Sequence, residues 1–369
     1  MNIQADVVVV GAGPAGIAAA LAANAKGFRC LAVEAQTPPI DKPCGEGLLP
    51  HGVAALRDLG IRLNPEIAIP FHGIRFCDRE SSSCARFPDG VGFGLRRLRL
   101  HQLLVDAATR AGVSFLWGSP VTSFERGCVI AGGNTIRYQW LIGADGQNSR
   151  VRRWAGLDSH TFGRRRFGFR QHFQIRPCVD MVEVYWGKGC QVVVTPTGAE
   201  EVCVTVFSRD PQLRIDPALP QFPALAERLR VAPRNTREAG NLSSMTRLRA
   251  VTKGRVALIG DASGTVDAIT GHGLSLSFQQ ALHLAEAIEQ GQLWQYESAH
   301  REIRELPATM THLMLILAGS DWIRERTLRL FQDQPDLFSE LLSANTGSHS
   351  LSAVGATEVF SLGWKLLWV

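Results

Sequence analysis

The sequence predicts an α/β protein with a parallel sheet flanked by helices, an inserted antiparallel sheet and a helical C-terminal region. Three observations predict it. An apolar run at 7–10 leads directly into a glycine-spaced turn and an alanine-rich segment. Two later apolar runs, at 140–143 and 256–259, each end beside a Gly and an Asp. Between about 160 and 248 the chain instead contains short β-branched and aromatic runs that are typical of strands.

The first element is a strand that leads into a turn of the pattern Gly-x-Gly-x-x-Gly. Its β-branched residues are expected in a strand buried on both faces. Gly11 lets the chain turn sharply, Gly13 lets the backbone approach a phosphate, and Gly16 lets the next helix lie close to the sheet. That helix is expected at about 14–25, with its positive N-terminal end directed at the anion. The pattern therefore predicts a Rossmann-like site for a dinucleotide.

A second strand at 29–33 ends at Glu34, which lies 23 residues after Gly11 (34 − 11). A carboxylate about 20 residues beyond the first glycine commonly accepts hydrogen bonds from ribose hydroxyls. A helix is also expected to begin at Arg97, because apolar residues recur at helical spacing after it. Both observations extend the dinucleotide site beyond the glycine turn.

Two further Asp-containing turns follow predicted strands. The first is Gly143-Ala-Asp145-Gly146, and the second begins Gly260-Asp261. Ligands of open α/β sheets bind at the carboxyl ends of the strands, where a carboxylate can hold sugar hydroxyls. An Asp-Gly pair taken alone is equally typical of an ordinary turn. A loop with the sequence Thr-Gly-His-Gly at 270–273 then precedes a helix expected at about 274–289.

The expected division of the chain follows these patterns. A discontinuous nucleotide-binding domain is expected at 1–66, 92–158 and 249–292. A substrate-binding sheet domain is expected at 67–91 and 159–248, followed by a helical region at 293–369. The apolar run at 362–369 has three readings: a docked terminal segment, a lid, or an edge that contacts lipid.

Composition excludes several function classes. The formal charge of +5 on 369 residues is modest, and the short arginine clusters lack interleaved aromatics, so nucleic acid is not expected as a partner. The eight cysteines lie between 30 and 203 without a Cys-x-x-Cys pair, which predicts reduced thiols and no metal site. No basic residue precedes the first apolar run, and no run reaches about 18 residues, so a cytoplasmic protein is expected.

The order of these motifs resembles that of the group A flavin monooxygenases, which share the fold of p-hydroxybenzoate hydroxylase. The resemblance covers roughly residues 5–290. Within that superfamily, the stretch Cys44-Gly-Glu46-Gly and the 270–273 loop are similar to the geranylgeranyl-reductase branch. Members of that branch typically carry Cys-Gly-Gly-Gly and Thr-Gly-Glu-Gly, so Glu46 and His272 depart from the pattern. The resemblance implies FAD as cofactor.

The resemblance also implies which residues hold and serve FAD. Cofactor contacts are expected from Gly11, Gly13, Pro14, Ala15, Gly16, Glu34, Ala35, Cys44, Gly45, Arg97, Val121, Asp145, Gly146, Gly260, Asp261, Gly271, His272, Gly273 and Leu274. Catalytic roles are assigned to His272, Cys44 and Glu46. Each has a structural alternative: a loop histidine bonded to backbone, a small residue against the flavin, and a solvated loop acid.

Three functions are carried forward. The first is an NAD(P)H-dependent monooxygenase acting on a small apolar, aromatic or lipid-like substrate. The second is a reductase of prenyl double bonds, and the third is a non-catalytic FAD-holding electron-transfer protein. Only one Gly-x-Gly-x-x-Gly motif exists, so NAD(P)H is expected to visit transiently. A monomer or homodimer is expected, with lipid contact through the C-terminal region as one option.

Overall fold

The structure, a computed structural model, describes residues 2–78, 81–125 and 127–345. The apolar run at 362–369 lies outside the described residues. The helices are α1 (Pro14–Ala25), α2 (Pro50–Asp58), α3 (Arg97–Arg110), α4 (Arg150–Trp154), α5 (Ile215–Ala218), α6 (Pro223–Arg230), α7 (Gly273–Glu289), α8 (Leu293–Gly319), α9 (Asp321–Asp333) and α10 (Pro335–Asn345).

The strands run through the chain in three groups. They are β1 (Asn2–Val10), β2 (Cys30–Val33), β3 (Gly47–Leu48), β4 (Ile69–Phe71), β5 (Gly73–Cys77), β6 (Ser82–Arg86), β7 (Gly92–Gly94), β8 (Ser114–Leu116), β9 (Val121–Glu125), β10 (Cys128–Ala131), β11 (Asn134–Gly143), β12 (His160–Phe173), β13 (Val182–Gly187), β14 (Cys190–Gly198), β15 (Glu201–Ser208), β16 (Ala239–Leu248), β17 (Thr252–Lys253) and β18 (Val256–Leu258).

The first sheet has the order β17-β18-β11-β1-β2-β8, and β9 and β10 extend it from β11. Pairing is parallel from β18 to β8 and antiparallel at β17 and at the β9–β10–β11 extension. The valines of β1 are buried on both faces because helices cover the sheet from both sides. This is the parallel sheet that the apolar runs predict.

Backbone hydrogen bonds bring the ends of the central strands together. The amide of Gly11 donates to the Val33 carbonyl at 2.8 Å, and the amide of Ala144 donates to the Val10 carbonyl at 2.8 Å. The Ile259 amide donates to the Gly143 carbonyl at 2.9 Å. The glycine turn and the two Asp turns therefore meet at one edge of the sheet, where ligands of such sheets bind.

The second sheet has the order β16-β12-β15-β14-β13-β5-β6. Five of its six strand pairs are antiparallel, as expected, but β5 pairs with β13 in parallel. The exception arises because β5 and β13 belong to separate excursions of the chain and no hairpin dictates their relative direction. The segment before α3 thus supplies two strands to a sheet built mainly by 160–248.

Helices cover parts of the second sheet, and a small sheet of order β3-β7-β4 lies beside it. One face of β12, β14 and β15 packs against α5 and α6, while β5, β6 and β13 contact α9 and α10. The predicted helical C-terminal region is present as α8, α9 and α10. Within the described part of the chain, no helix has the length and apolarity that a membrane crossing requires.

Candidate cofactor and substrate site

Two cavities open at the edge where the central strands end. The first, of about 340 Å³, lies over the loops that follow β1, β2 and β11. The second, of about 310 Å³, lies between this edge and the second sheet. They share a wall formed by Gly13, Lys42, Arg97 and Ala144. An elongated ligand could therefore extend from one cavity into the other.

Most of the residues predicted to contact the cofactor line these cavities. Those on the first cavity are Gly11, Gly13, Glu34, Ala35, Arg97, Val121 and Asp145. Those on the second are Gly13, Pro14, Ala15, Cys44, Gly45, Arg97, Gly146, Asp261, Gly271, Gly273 and Leu274. Gly16, Gly260 and His272 line neither cavity. The structure thus brings together loops that are far apart in the sequence.

The three glycines of the first turn lie in different steric surroundings. Gly11 has a φ of +101°, and a Cβ there would collide with the Ala144 carbonyl. A Cβ on Gly16 would overlap the carbonyl oxygen of Gly11, so α1 lies too close to the turn for a side chain. Gly13 has ordinary extended backbone, and nothing lies within 4 Å of where its Cβ would be. Gly13 therefore leaves open space on the cavity side.

Glu34 lies on the wall of the first cavity and holds the turn in place. One carboxylate oxygen, Oε2, accepts a hydrogen bond from the Ala12 amide at 2.8 Å, and Oε1 accepts from the Gln36 amide at 3.0 Å. His101 supports the same turn from below, since its Nε2 lies 2.9 Å from the Ala12 carbonyl oxygen. This arrangement places a carboxylate where the sequence predicts a ribose contact.

Arg97 is a buried cation with an unused donor in the wall that separates the cavities. Its Nη1 has no hydrogen-bond partner among the described residues, although the residue is only 5% exposed. Burial lowers the pKa of Arg97, and the carboxylates of Asp41, Glu46 and Asp261 oppose that shift. A buried guanidinium with a free N–H is suited to an anionic group such as a phosphate.

Asp261 lies across the second cavity. Its side chain is accessible from the cavity and has no hydrogen bond within the described residues. Burial by the surrounding protein raises the pKa of Asp261, while Lys42, Arg97 and Arg304 oppose the shift. The preceding turn is fixed because the Gly260 amide donates to Oε1 of Gln280 at 2.7 Å. The carboxylate is thus held in a fixed loop with its acceptor atoms free for hydroxyl groups.

The carboxylate of Asp145 accepts hydrogen bonds from neighbouring residues of the protein. Oδ1 accepts from the Ser149 hydroxyl at 2.5 Å, and Oδ2 accepts from the Arg150 and Val151 amides at 2.6 and 3.1 Å. The side chain therefore caps the N-terminus of α4. Asp145 still lines the first cavity, and Gly146 lines the second. A direct cofactor contact by the Asp145 carboxylate remains a prediction.

The loop between Gly264 and α7 is braced from beneath by two buried arginines. Arg304 donates to the carbonyls of Gly264 and Thr246 at 2.7 and 3.0 Å. Arg166 pairs with the Asp267 carboxylate at 3.0 Å, and that carboxylate also accepts from the Ile269 amide at 3.0 Å. These contacts fix the backbone that presents the N-terminus of α7 to the second cavity.

His272 does not face that cavity. Its residue is 1% exposed, and its imidazole lies against the ring of His51 with 5.2 Å between centroids. Burial lowers the pKa of the neighbouring His51 to about 3, with a further contribution from His272. The neighbouring Gly271 and Gly273 line the cavity, but the His272 ring points into the protein. This placement does not favour the catalytic role predicted for His272.

Cys44 and Glu46 both lie on the wall of the second cavity. Burial raises the pKa of the Cys44 thiol, and its Sγ accepts a hydrogen bond from the Glu46 amide at 3.3 Å. Glu46 is 2% exposed and has a φ of +60°, the conformation for which the related motif carries glycine. Its Oε1 accepts from the Arg97 amide at 3.0 Å. Glu46 is therefore a buried acid, which the alternative of a solvated loop residue did not anticipate.

Glu46 contacts two ionisable residues of β12. Its Oε2 lies 2.6 Å from His172 Nε2, and its Oε1 lies 3.6 Å from Arg170 Nη1. Arg170 in turn donates from Nη2 to both oxygens of the Asp41 carboxylate, at 2.8 and 2.9 Å. The Sγ atom of Cys203 lies in the same cluster, since ligand-type atoms of Glu46, His172 and Cys203 lie within 4.8 Å of one another. The 2.6 Å contact is a hydrogen bond, so Glu46 and His172 point at each other rather than at a common ion.

The rest of the second cavity is largely apolar. The second sheet and the adjoining segments contribute Phe71, Ile74, Val182, Val184, Val193, Phe207, Leu242 and Ile269. These side chains give the cavity an apolar wall on the side of the second sheet. Tyr185 is absent from this wall, because its hydroxyl donates to Glu183 at 2.7 Å and its ring packs against Phe222. A role for Tyr185 in substrate binding is therefore not favoured.

Sequence reasoning did not find Arg170, Lys42 or the links of His172. The available signal was the spacing of Arg170 and His172, two ionisable residues that lie two positions apart and therefore on one face of a strand. A strand that carries such residues toward the interior commonly serves a site, because buried charges need partners. Their partners Asp41 and Glu46 are more than 120 residues away in the sequence, which local patterns cannot reveal.

The comparisons with known proteins agree with this geometry. Residues 4–309 match the family described as FAD binding domain. Because this match covers more than half of the chain, the protein belongs to that family. The predicted fold is thereby confirmed, and the family is one of FAD-binding proteins.

Individual relatives fall in two activity classes. The chain is 35% identical over 172 residues to a menaquinone reductase of Mycolicibacterium smegmatis. The aligned region covers 43% of this chain and 42% of that protein. It is 32% identical over 180 residues to a 3-(3-hydroxy-phenyl)propionate/3-hydroxycinnamic acid hydroxylase of Mycobacterium avium, 41% of this chain and 31% of that protein. The matches thus span less than half the length of these curated relatives.

A solved structure shares the fold over most of its length. The geranylgeranyl bacteriochlorophyll reductase-like protein of Thermoplasma acidophilum superposes with a TM-score of 0.71 at 22% identity, covering 85% of this chain and 88% of that one. The comparisons place the protein among FAD-dependent oxidoreductases, a class whose relatives here include both reductases and a hydroxylase.

The residues present fit the cofactor. Open space beside Gly13, the unused Nη1 of Arg97 and the free carboxylate of Asp261 face the two connected cavities. Glu34 and the glycine turn would hold the adenosine half of FAD, and Arg97 the pyrophosphate. Asp261 and the N-terminus of α7 at Gly273 and Leu274 would hold the flavin half.

Proposed function

We propose that this protein reduces a carbon–carbon double bond of an apolar, isoprenoid-type lipid. The observation that carries the proposal is Glu46, a buried acid on the wall of a largely apolar cavity. Reduction of such a bond requires a hydride and a proton, and bound FAD supplies the hydride after NAD(P)H has reduced it. We assign the proton transfer to Glu46, with the thiol of Cys44 on the same wall as the alternative donor.

The roles of the other residues follow from their positions. The apolar side chains of the second sheet bind the substrate and exclude water, so that the proton must come from the protein. Arg97 and His172 orient the Glu46 carboxyl group, because their N–H groups contact its two oxygens. Cys44 contributes a small, buried side chain beside the reacting region.

Relatives support this choice over hydroxylation. The relative with 35% identity is named for reduction of a quinone, and the related solved structure is named for similarity to a geranylgeranyl reductase. The stretch Cys44-Gly-Glu46-Gly also resembles that branch apart from Glu46, where the branch carries glycine, so the resemblance supports the fold of this loop and not the role of Glu46. A monooxygenase remains the alternative because a hydroxylase is also among the relatives. An apolar, shielded cavity serves both reactions, so the choice of reduction rests on the buried acid.

Anaerobic turnover tests the proposal. The FAD-loaded protein is incubated without oxygen with NADH or NADPH and either menaquinone or a geranylgeranyl lipid, and products are read by mass spectrometry. We expect the lipid to gain two hydrogen atoms for each bond reduced. Absence of product without oxygen, together with an oxygenated product in air, would show a monooxygenase instead.

Variants of Glu46 test whether this residue supplies the proton. Glu46→Gln keeps the shape of the side chain, and Glu46→Gly suits the positive φ of this position, so at least one variant should fold. Both should retain FAD and lose about a hundredfold or more in turnover, the usual range for loss of a general acid. Asp89→Asn changes an exposed carboxylate that lines neither cavity, and it serves as the control. Full turnover in both Glu46 variants would refute the assignment.

A further inference from the structure

We propose that Arg170 binds an uncharged oxygen atom of the substrate, an inference that rests on the proposed function and narrows its substrate class. The lipid would then carry a carbonyl or hydroxyl group on its head, as a prenylated quinone does, rather than a phosphate. The observation behind this proposal is a buried hydrogen-bond donor. Among the described residues, Nε of Arg170 has no hydrogen-bond partner, although the residue is 3% exposed and lines the second cavity.

The other nitrogens of Arg170 have partners within the protein. Nη2 donates to both oxygens of Asp41, while Nη1 lies 3.3 Å from His172 Nδ1 and 3.6 Å from Glu46 Oε1. These contacts hold the planar guanidinium in one orientation. A buried donor without a partner is costly, because it has lost its hydrogen bonds to water. An oxygen atom of a ligand in this cavity would supply the missing acceptor.

Arg170 lies on the side of the cavity that the second sheet forms. It belongs to β12 and pairs with Thr205 of β15, and both residues line the cavity. Directly opposite residues of an antiparallel pair have Cβ atoms about 4.5–5.5 Å apart, so the Thr205 hydroxyl can contact the same oxygen. The residues proposed to hold the flavin half of FAD, Asp261, Gly273 and Leu274, belong to segments that follow the first sheet. Arg170 and Thr205 thus form a polar pair in the wall on the substrate side.

The charges around Arg170 favour an uncharged oxygen over an anion. Asp41 already supplies a counter-charge to the guanidinium, and the Glu46 carboxyl group lies beside it. Burial lowers the pKa of Arg170, but the hydrogen bond to Asp41 and the proximity of Glu46 outweigh this effect and raise it. Arg97 and Lys42, which also line this cavity, lie on the wall shared with the first cavity. A phosphate at Arg170 would therefore lie beside two carboxyl groups and a guanidinium whose charge is already balanced.

Binding to the FAD-loaded protein in the absence of NAD(P)H tests the assignment apart from turnover. Three probes are titrated, with the absorbance of the flavin as the signal: menaquinone, the hydrocarbon squalene and geranylgeranyl diphosphate. We expect menaquinone to bind most tightly to the unaltered protein. Tighter binding of geranylgeranyl diphosphate would show that the site takes an anionic head group, and it would overturn the proposal.

Two variants and a control isolate the contact with oxygen. Arg170→Lys keeps a cation for Asp41 but removes the Nε–H group, and it should raise the dissociation constant of menaquinone about tenfold to a hundredfold. Thr205→Val removes the opposite hydroxyl and should raise this constant about threefold to tenfold. Neither variant should change the affinity for squalene or the FAD content. Arg165→Lys, at an exposed position of β12, is the control and should leave all affinities unchanged.

The outcomes separate this inference from the proposed function. If Arg170→Lys and Thr205→Val bind menaquinone as tightly as the unaltered protein, the contact with oxygen is refuted and the reductase stands. An equal loss of affinity for menaquinone and squalene, or loss of FAD from both variants, would assign these residues to the shape of the wall or to the cofactor and would also refute it. If the anaerobic assay shows no reduction of lipid, the proposed function fails, while the titration still decides whether Arg170 binds an oxygen of the ligand.

Discussion

A substitution at Gly13 should change cofactor binding without changing the stability of the fold. Its backbone is extended, and a Cβ would meet nothing within 4 Å, so Ala should be accepted without strain. The added methyl group would, however, project beside the two cavities where the pyrophosphate of FAD is expected. We expect Gly13→Ala to leave the melting temperature of the apoprotein unchanged and to weaken FAD binding at least tenfold, measured by flavin fluorescence titration.

A control for Gly13→Ala is available at Gly27. That residue has a φ of +88° and also has no atom within 4 Å of its Cβ position. Gly27→Ala should therefore cost about 1 kcal/mol or more of stability from backbone strain and leave FAD affinity unchanged. Unchanged FAD binding in Gly13→Ala would contradict the placement of the cofactor beside this turn.

Arg97 supplies the second prediction at the residue scale. Its unused Nη1 is expected to contact the pyrophosphate, and hydrogen bonds to charged groups contribute about 1.5–3 kcal/mol. Arg97→Gln should therefore raise the FAD dissociation constant about tenfold to a hundredfold, measured by the same titration. Arg99→Gln, on the exposed face of α3, should have no effect. Equal affinities for the two variants would remove Arg97 from the site.

The position of a single residue in the site could be predicted from the sequence where it depends only on neighbouring residues. Gly11, Gly13 and Glu34 follow from a turn, an approach to phosphate and a fixed spacing, and the structure places all three on the first cavity. His272 illustrates the limit. Its position in the loop could be read from the sequence, but the direction of its ring depends on His51, a residue of α2.

At the scale of elements, the pair Arg96–Glu201 joins the start of α3 to the hairpin of β14 and β15. Arg96 forms a bidentate contact with Glu201, and Asn235 and Thr197 donate to the same carboxylate at 2.9 and 3.0 Å. Burial alone would raise the pKa of Glu201, but these hydrogen bonds bring it down to about 2. The start of α3 and the second sheet therefore meet at a carboxylate that is stabilised in its charged form.

This pair predicts a pH dependence of stability. Because the pKa of Glu201 is lower in the folded protein, its contribution is present above about pH 4.5 and is lost as the pH falls toward 2. Glu201→Gln should remove at most about 3 kcal/mol of unfolding free energy at pH 7 and much less near pH 2. Urea unfolding at several pH values measures the difference. Glu200→Gln, an exposed neighbour, is the control, and a pH-independent difference would contradict the assignment.

The buried Arg166–Asp267 pair beneath the 264–273 loop predicts an effect on stability. Asp267→Asn keeps an oxygen for the Ile269 amide but leaves the Arg166 guanidinium buried without its counter-charge. Removing one partner of a buried pair costs about 3–5 kcal/mol, so urea unfolding should show a loss of this size. The double variant Arg166→Met/Asp267→Asn should recover most of it. Equal losses in the single and double variants would show that the charges are not coupled.

Elements were predictable where one chain segment determines them. The bounds of α1 and α7 lie within one residue of the expected ones, because helical periodicity and the flanking glycines are local. The parallel pairing of β5 with β13 was not predictable, because it joins two excursions separated by α3 and four strands of the first sheet. The cluster around Glu46 could not be predicted from the sequence for the same reason, because its residues come from distant segments of the chain.

At the scale of the whole molecule, the second cavity is walled by both sheets. Asp261 and Leu274 belong to segments that follow the first sheet, whereas Thr205, Phe207 and Leu242 belong to the second. A ligand that fills this space contacts residues associated with both sheets at once. Cofactor binding should therefore stabilise the protein as a whole and not only the nucleotide-binding part.

Cofactor-linked unfolding measures this coupling. A ligand present at 100 times its dissociation constant stabilises the folded state by about 2.7 kcal/mol, so FAD should raise the melting temperature of the unaltered protein. Because both sheets line the cavity, tryptophan fluorescence and proteolysis of the 160–248 region should report the same upward shift. Gly13→Ala should show a markedly smaller shift at the same FAD concentration. A shift confined to the nucleotide-binding segments, with the second sheet cleaved as before, would mean that the cofactor does not bridge the two sheets.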